Sequence, residues 1–270
     1  MARQARKHSK SGIYHVMLRG INQQTIFEDS EDEDKYLELL KIYKKRCGFD
    51  LYGYCLMGNH IHLLMKEAAR NSTITVNGME LEAGPGEPLE KVFKRIGAAY
   101  VLYFNRKYRR TGHLFQDRFR SEVVDSDAYL LMALRYIHRN PVKARICLLP
   151  EEYLRSSYCE YLLDKENRLA DTDFILGMMS REQLKKYTEK ANDDQFLDME
   201  TTIKQTKTDT EAKEVLMKMS GCASVSDFQR LQKPDREAFI KQLNKAGINK
   251  SQIARITGYS RQVIYRALET

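Results

Sequence analysis

Gly58-Asn59-His60-Ile61-His62-Leu63-Leu64 decides how this chain folds, because a turn signal is followed by two histidines separated by one apolar residue. In a strand, side chains alternate faces with period 2, so His60 and His62 share one face while Ile61 enters the core. That makes a pincer for one divalent cation; the alternative is a pair of surface or satisfied core histidines. Upstream, Leu51-Tyr52-Gly53-Tyr54-Cys55-Leu56-Met57 reads as the preceding strand, and Leu63-Leu64-Met65 continues the second one. The pair therefore sits on a central hairpin.

Working outward, Gly12 to Gly20 reads as a first strand and Ser30 with Glu33 as a capping box. From it a helix carries Tyr36, Leu37, Leu40, Ile42 and Tyr43 until Cys47-Gly48 closes it. Strand, helix, strand, strand opens a ferredoxin-like α+β layer with an antiparallel sheet. An insertion at about 70–88 follows, in which Asn77-Gly78 pairs Val76 with Met79 and Ile74 with Leu81. Leu89, Val92, Phe93, Ile96, Tyr100, Tyr103 and Phe104 then step at helical spacing, and Gly112 to Val124 reads as a strand with aromatics among arginines. Phe115 and Phe119 suit either a core or a single-strand platform.

From the cap Ser126 a helix runs to Asn140, stopping before Pro141. Four residues separate Tyr136 from Asn140 on it, so they are neighbours on one face. His138 points away from Tyr136 and reads as structural or DNA-facing, and His15 as core or substrate-contacting.

The 270 residues, 42% of them hydrophobic, can form one good core plus a smaller module. Net charge is +8 and the pI about 9.1, which suggests an anionic partner. Arg3, Arg6 and Lys7, with Lys10 and Arg19, lie in an acid-free first 20 residues, and Arg106, Lys107, Arg109, Arg110, Arg118 and Arg120 face only Asp117 across residues 105–121. Such clusters suit phosphate contacts, although a solvated basic face would look the same. No signal-peptide pattern or membrane span is apparent, which suggests a cytoplasmic chain, and five scattered cysteines argue for reduced thiols and against structural zinc.

Residues 161–215 read as a charged helical connector, and 216–270 as a small all-α module. Within it Ser251-Gln252-Ile253-Ala254 and Gly258-Tyr259-Ser260 frame a helix-turn-helix exposing Arg261, Gln262, Tyr265 and Arg266. A three-helix protein-contact module is the alternative, but residues 241–270 hold six basic side chains and one acid.

Gly58 to Leu64, then Gly112-His113-Leu114-Phe115-Gln116-Asp117-Arg118-Phe119, then Leu134 to Ala144 together resemble the single-tyrosine HUH transposases, and within them the REP-associated tyrosine transposases. The likeness covers about residues 8–160. It implies a catalytic domain over residues 1–160 that cleaves and rejoins single-stranded DNA near hairpins, through a 5′-phosphotyrosine and with Mg²⁺ or Mn²⁺. By position, His60 and His62 match the metal ligands, Tyr136 the nucleophile, and Asn140 a place where relatives carry glutamine. A monomer and a homodimer, with the tyrosine acting in cis or in trans, both remain open. The competing expectation is a catalytically idle HUH-fold regulator that binds DNA, including duplex DNA through the C-terminal module.

Overall fold

The computed structural model describes residues 7–68, 73–76, 79–82, 87–163, 168–190 and 208–269. Arg3, Arg6 and the Asn77-Gly78 turn lie outside these residues. The chain forms β1 (Ile13–Arg19), α1 (Ser30–Cys47), β2 (Asp50–Met57), β3 (His60–Lys66), the insertion hairpin β4 (Thr73–Val76) and β5 (Met79–Glu82), α2 (Leu89–Lys107), β6 (Arg120–Val123) and α3 (Asp127–Lys143). Strands β1, β2, β3 and β6 make one antiparallel sheet in the order β2-β3-β1-β6. With α1 and α2 as crossovers, this is the split β-α-β arrangement expected from the hairpin. The small hairpin pairs Val76 with Met79 and Ile74 with Leu81, as the two-residue turn requires.

Both faces of the sheet are covered, which explains its near-continuous apolar strands. Tyr14, Val16, Leu18, Ile61, Leu63 and Met65 pack with α1 and α2. The alternate residues Ile13, Cys55, Met57 and Leu64 pack with Leu130, Leu134, Tyr136 and Ile137 of α3. Close approach of α3 depends on Gly53, where an added Cβ would lie 2.6 Å from Leu134 Cδ1. Overpacking at such a contact costs about 1–3 kcal/mol. Gly53→Ala is therefore expected to lower the melting temperature by about 3–10 °C; a scan matching the wild type would show that α3 has room to retreat.

Several local expectations are corrected. Asp29, not Ser30, caps α1: it is extended and its carboxylate accepts the Asp32 N–H at 3.1 Å. Glu33 is drawn instead to Arg155, 2.7 Å away. The strand expected over Gly112–Val124 is reduced to β6 and a bridge between Phe115 and Gly20; between them the Asp117 carboxylate accepts the Arg118 N–H at 2.7 Å, a local bond that competes with strand pairing. Phe119 is core, its ring 4.4 Å from Phe93. Pro141 does not end α3, which continues to Lys143; a proline this near the C-terminus removes only one backbone donor.

Beyond α3 come α4 (Tyr158–Leu162), α5 (Thr172–Leu176) and α6 (Arg181–Glu189). Their Tyr161, Ile175 and Leu184 are fully buried in the cluster that holds Tyr136. Residue 160 is thus no packing boundary, and the first part of the expected connector covers the α3 face. A third cluster is built by α7 (Asp209–Ser220), α8 (Val225–Arg230), α9 (Lys233–Lys245), α10 (Lys250–Thr257) and α11 (Arg261–Glu269). Gly258, in the left-handed region at φ 74°, closes α10 just before α11. Among the described residues no helix is long and apolar enough to cross a membrane.

Candidate functional site

The register of β3 carries the two histidines onto the α3 face, with His60 opposite Arg19 and Met57, and His62 opposite Met17 and Cys55. On α3, one turn apart, Tyr136 and Asn140 meet them. Asn140 lies between the imidazoles: its Oδ1 is 3.3 Å from His60 Nε2 and its Nδ2 is 3.3 Å from His62 Nε2. The Tyr136 ring stands edge-on to His62, centroids 5.7 Å apart. All four residues are buried.

The far ring nitrogens are held as well. His60 Nδ1 is 2.6 Å from Asn59 Oδ1, and His62 Nδ1 is 3.0 Å from His15 Nε2. Partners of this kind fix which nitrogen carries the proton and aim the other one. Burial pushes the His60 pKa down to about 4, helped by the Arg19 charge, and that of His62 well below its usual value, helped by His60, His15 and Lys143. Both rings are therefore neutral near pH 7, the state in which an imidazole offers a lone pair.

The donor set fits a divalent cation. Among the described residues no three His, Cys, Asp or Glu side chains gather for a metal, and the Asn140 amide is the polar group set against both imidazoles. As placed, His60 faces an oxygen at each ring nitrogen, yet a neutral imidazole has one proton to give. A cation shared by His60 Nε2 and Asn140 Oδ1 removes that conflict; turning the amide over is the other remedy. His60 Nε2 and Asn140 Oδ1, 3.3 Å apart, are close enough that both would hold one small cation.

Two cations adjoin the site: Lys143, which charge counting alone did not single out, and Arg19 of the basic N-terminal cluster. Lys143 Nζ lies 5.2 Å from the Tyr136 ring centroid; its spacing of seven from Tyr136 is the signal that could have found it. Arg19 shares the sheet face with His60. His15 is fully buried and touches His62, so it orients a site residue. His138 is structural: its Nε2 is 2.8 Å from Ser157 Oγ, between Tyr158 and Tyr161.

The basic residues divide. Lys7, Arg106, Arg109, Arg118 and Arg120 are exposed. Lys107 is already committed, its ammonium 2.8 Å from Asp29, 2.8 Å from Glu31 and 2.9 Å from Asp32; three carboxylates leave it little to offer a phosphate. Arg110 is partly buried, donating to Gln24 Oε1 at 3.2 Å. Arg261, Gln262, Tyr265 and Arg266 all lie on the exposed side of α11, with Lys250 Nζ 4.4 Å from the Tyr265 ring centroid.

The sheet thus presents a His-x-His pair to a helical tyrosine and asparagine, and residues 8–77 match the family model described as Transposase IS200 like. Sequence similarity extends beyond that segment. A putative REP-associated tyrosine transposase of Haemophilus influenzae is 24% identical over 164 residues, covering 58% of this chain and 86% of that protein. A solved structure of a REP-associated tyrosine transposase bound to a REP hairpin aligns at 14% identity and TM-score 0.49, over 75% of this chain and 99% of that one.

Proposed function

We propose that the protein is a metal-dependent DNA strand transferase that cuts single-stranded DNA beside hairpins through Tyr136 and can rejoin the ends. The observation that carries this reading is the meeting of His60, His62 and Asn140 next to Tyr136. The family-model match to transposases supports it independently.

A tyrosine hydroxyl, with an ordinary pKa of about 10, is a weak nucleophile at neutral pH. Bound Mg²⁺ or Mn²⁺ supplies charge neutralisation at the scissile phosphate. His60, His62 and Asn140 would hold it, with nitrogen donors favouring Mn²⁺. Tyr136 Oη attacks phosphorus opposite the O3′ leaving group; the P–O3′ bond breaks, a 5′-phosphotyrosine forms, and the hydroxyl proton ends on the released 3′-OH or in solvent. Lys143 and Arg19 add positive charge where the phosphate charge grows. Reversal by a 3′-OH rejoins the strand without a nucleotide cofactor. Because Tyr136 and the His62 beside it belong to one chain, a monomer holds the whole set, which favours action in cis. Residues 216–270 would serve as the helix-turn-helix DNA module, with α11 presenting Arg261, Gln262, Tyr265 and Arg266 to duplex DNA.

One observation favours the second reading, an idle DNA-binding regulator: Tyr136 is only 4% exposed, so a strand reaches it only if the surroundings open. Incubation with a labelled hairpin-flanked oligonucleotide separates the two. The enzyme reading expects a protein-linked strand with Mn²⁺ and none with excess EDTA; tight binding without cleavage across a broad panel of hairpins supports the regulator.

A further inference from the structure

Where the end of α2 meets α7 and α10, a cavity of about 460 Å³ is lined by Arg109, Arg110, Lys213 and Arg255 against Glu28 and Asp209, with Thr111 and Thr210 beside them. The acidic side is spoken for. Asp209 takes Arg255 Nε and Nη2, both at 2.7 Å, and the Asp209 N–H donates to Glu28 Oε2 at 3.0 Å. Burial, reinforced by the Asp209 charge, lifts the Glu28 pKa to about 7, so its negative charge is incomplete near neutrality. On the basic side Arg109 and Lys213 are exposed, and among the described residues their side chains have no hydrogen bond or ion pair.

We propose that this cleft is a phosphodiester site, in which Arg109 from the sheet domain and Lys213 from the C-terminal helices grip one DNA strand from opposite walls. The inference rests on the DNA reading above and deepens it: the C-terminal helices take part in holding the substrate strand, in addition to any contact through α11. The hydroxyls of Thr111 and Thr210 and the partly buried Arg110 complete a set of donors suited to phosphate oxygens. Glu28 also ends the segment that follows β1, whose contacts include Gly20 N–H to Asn59 O at 2.9 Å and Ile26 N–H to Gly58 O at 2.7 Å. The cleft and the residue that orients His60 are therefore braced by one stretch of chain.

The test compares the wild type, the double variant Arg109→Ala/Lys213→Ala and the control Lys233→Ala, whose side chain is 77% exposed on α9, all as full chains with melting curves checked. One arm follows anisotropy of a labelled hairpin-flanked oligonucleotide from low to high salt, and the other the melting temperature in inorganic phosphate. Each lost phosphate contact removes about one unit from the salt slope. The expected result is a double variant that binds the oligonucleotide about tenfold or more weakly with a slope shallower by about 1–2 units, and a control that matches the wild type. Equal affinity and slope in the double variant overturn the cleft and leave the DNA reading standing. Loss of phosphate stabilisation with unchanged oligonucleotide binding also overturns the strand proposal, in favour of a free-phosphate site. If the wild type binds no oligonucleotide, both readings fall.

Discussion

Tyr136→Phe is expected to abolish the covalent protein–DNA adduct, by at least about 10³-fold, while leaving hairpin binding within about twofold. The change removes one oxygen and keeps the ring that stands against His62 and His15. The helix, its packing and the neighbouring cations should survive, so a loss of adduct reports chemistry. Phenylalanine cannot form the phosphotyrosine, and no water-activating base is evident among the site residues to take over. Denaturing gel analysis of 5′- and 3′-labelled oligonucleotides with Mn²⁺ provides the measurement. An adduct undiminished in the variant would place the nucleophile elsewhere.

The second large effect concerns a residue with no obvious catalytic look. If His62 is to aim Nε2 at a cation, its Nδ1 must carry the proton and donate it to His15 Nε2, 3.0 Å away in a fully buried setting. Leucine at position 15 offers no acceptor, so His15→Leu should weaken Mn²⁺ binding by about 10–100-fold. Glutamine can place its amide oxygen near the position of the His15 Nε2, so His15→Gln should recover most of that loss. Titration calorimetry with Mn²⁺ in the absence of DNA reads this directly. Equal affinity in wild type, His15→Leu and His15→Gln would mean that His15 only fills space.

What could be read from the sequence follows from which contacts are local. The alternation of His60, Ile61 and His62 gives their shared face, and the spacing of four between Tyr136 and Asn140 gives theirs; both are properties of one element. The order of strands and helices likewise follows from short-range patterns. His15 escaped because its role depends on β1 pairing β3 in one register, with His15 opposite Leu64 and next to the Met17–His62 pair. Lys107 escaped for a related reason: it reads as a free cation until the fold brings Asp29, Glu31 and Asp32 to it. That residues beyond 160 share the α3 cluster was not legible, because the apolar residues of α4 to α6 are sparse in sequence, yet Tyr161, Ile175 and Leu184 are buried in it.

The central claim is that Tyr136 itself becomes joined to DNA. Trapping the protein on a hairpin-flanked oligonucleotide with Mn²⁺, digesting both polymers and mapping the modified peptide by mass spectrometry tests it most directly. The account predicts a nucleotide 5′-phosphate on the peptide containing Tyr136, absent when EDTA is present. A nucleotide on any other residue, or cleaved DNA with no peptide attached, would contradict it.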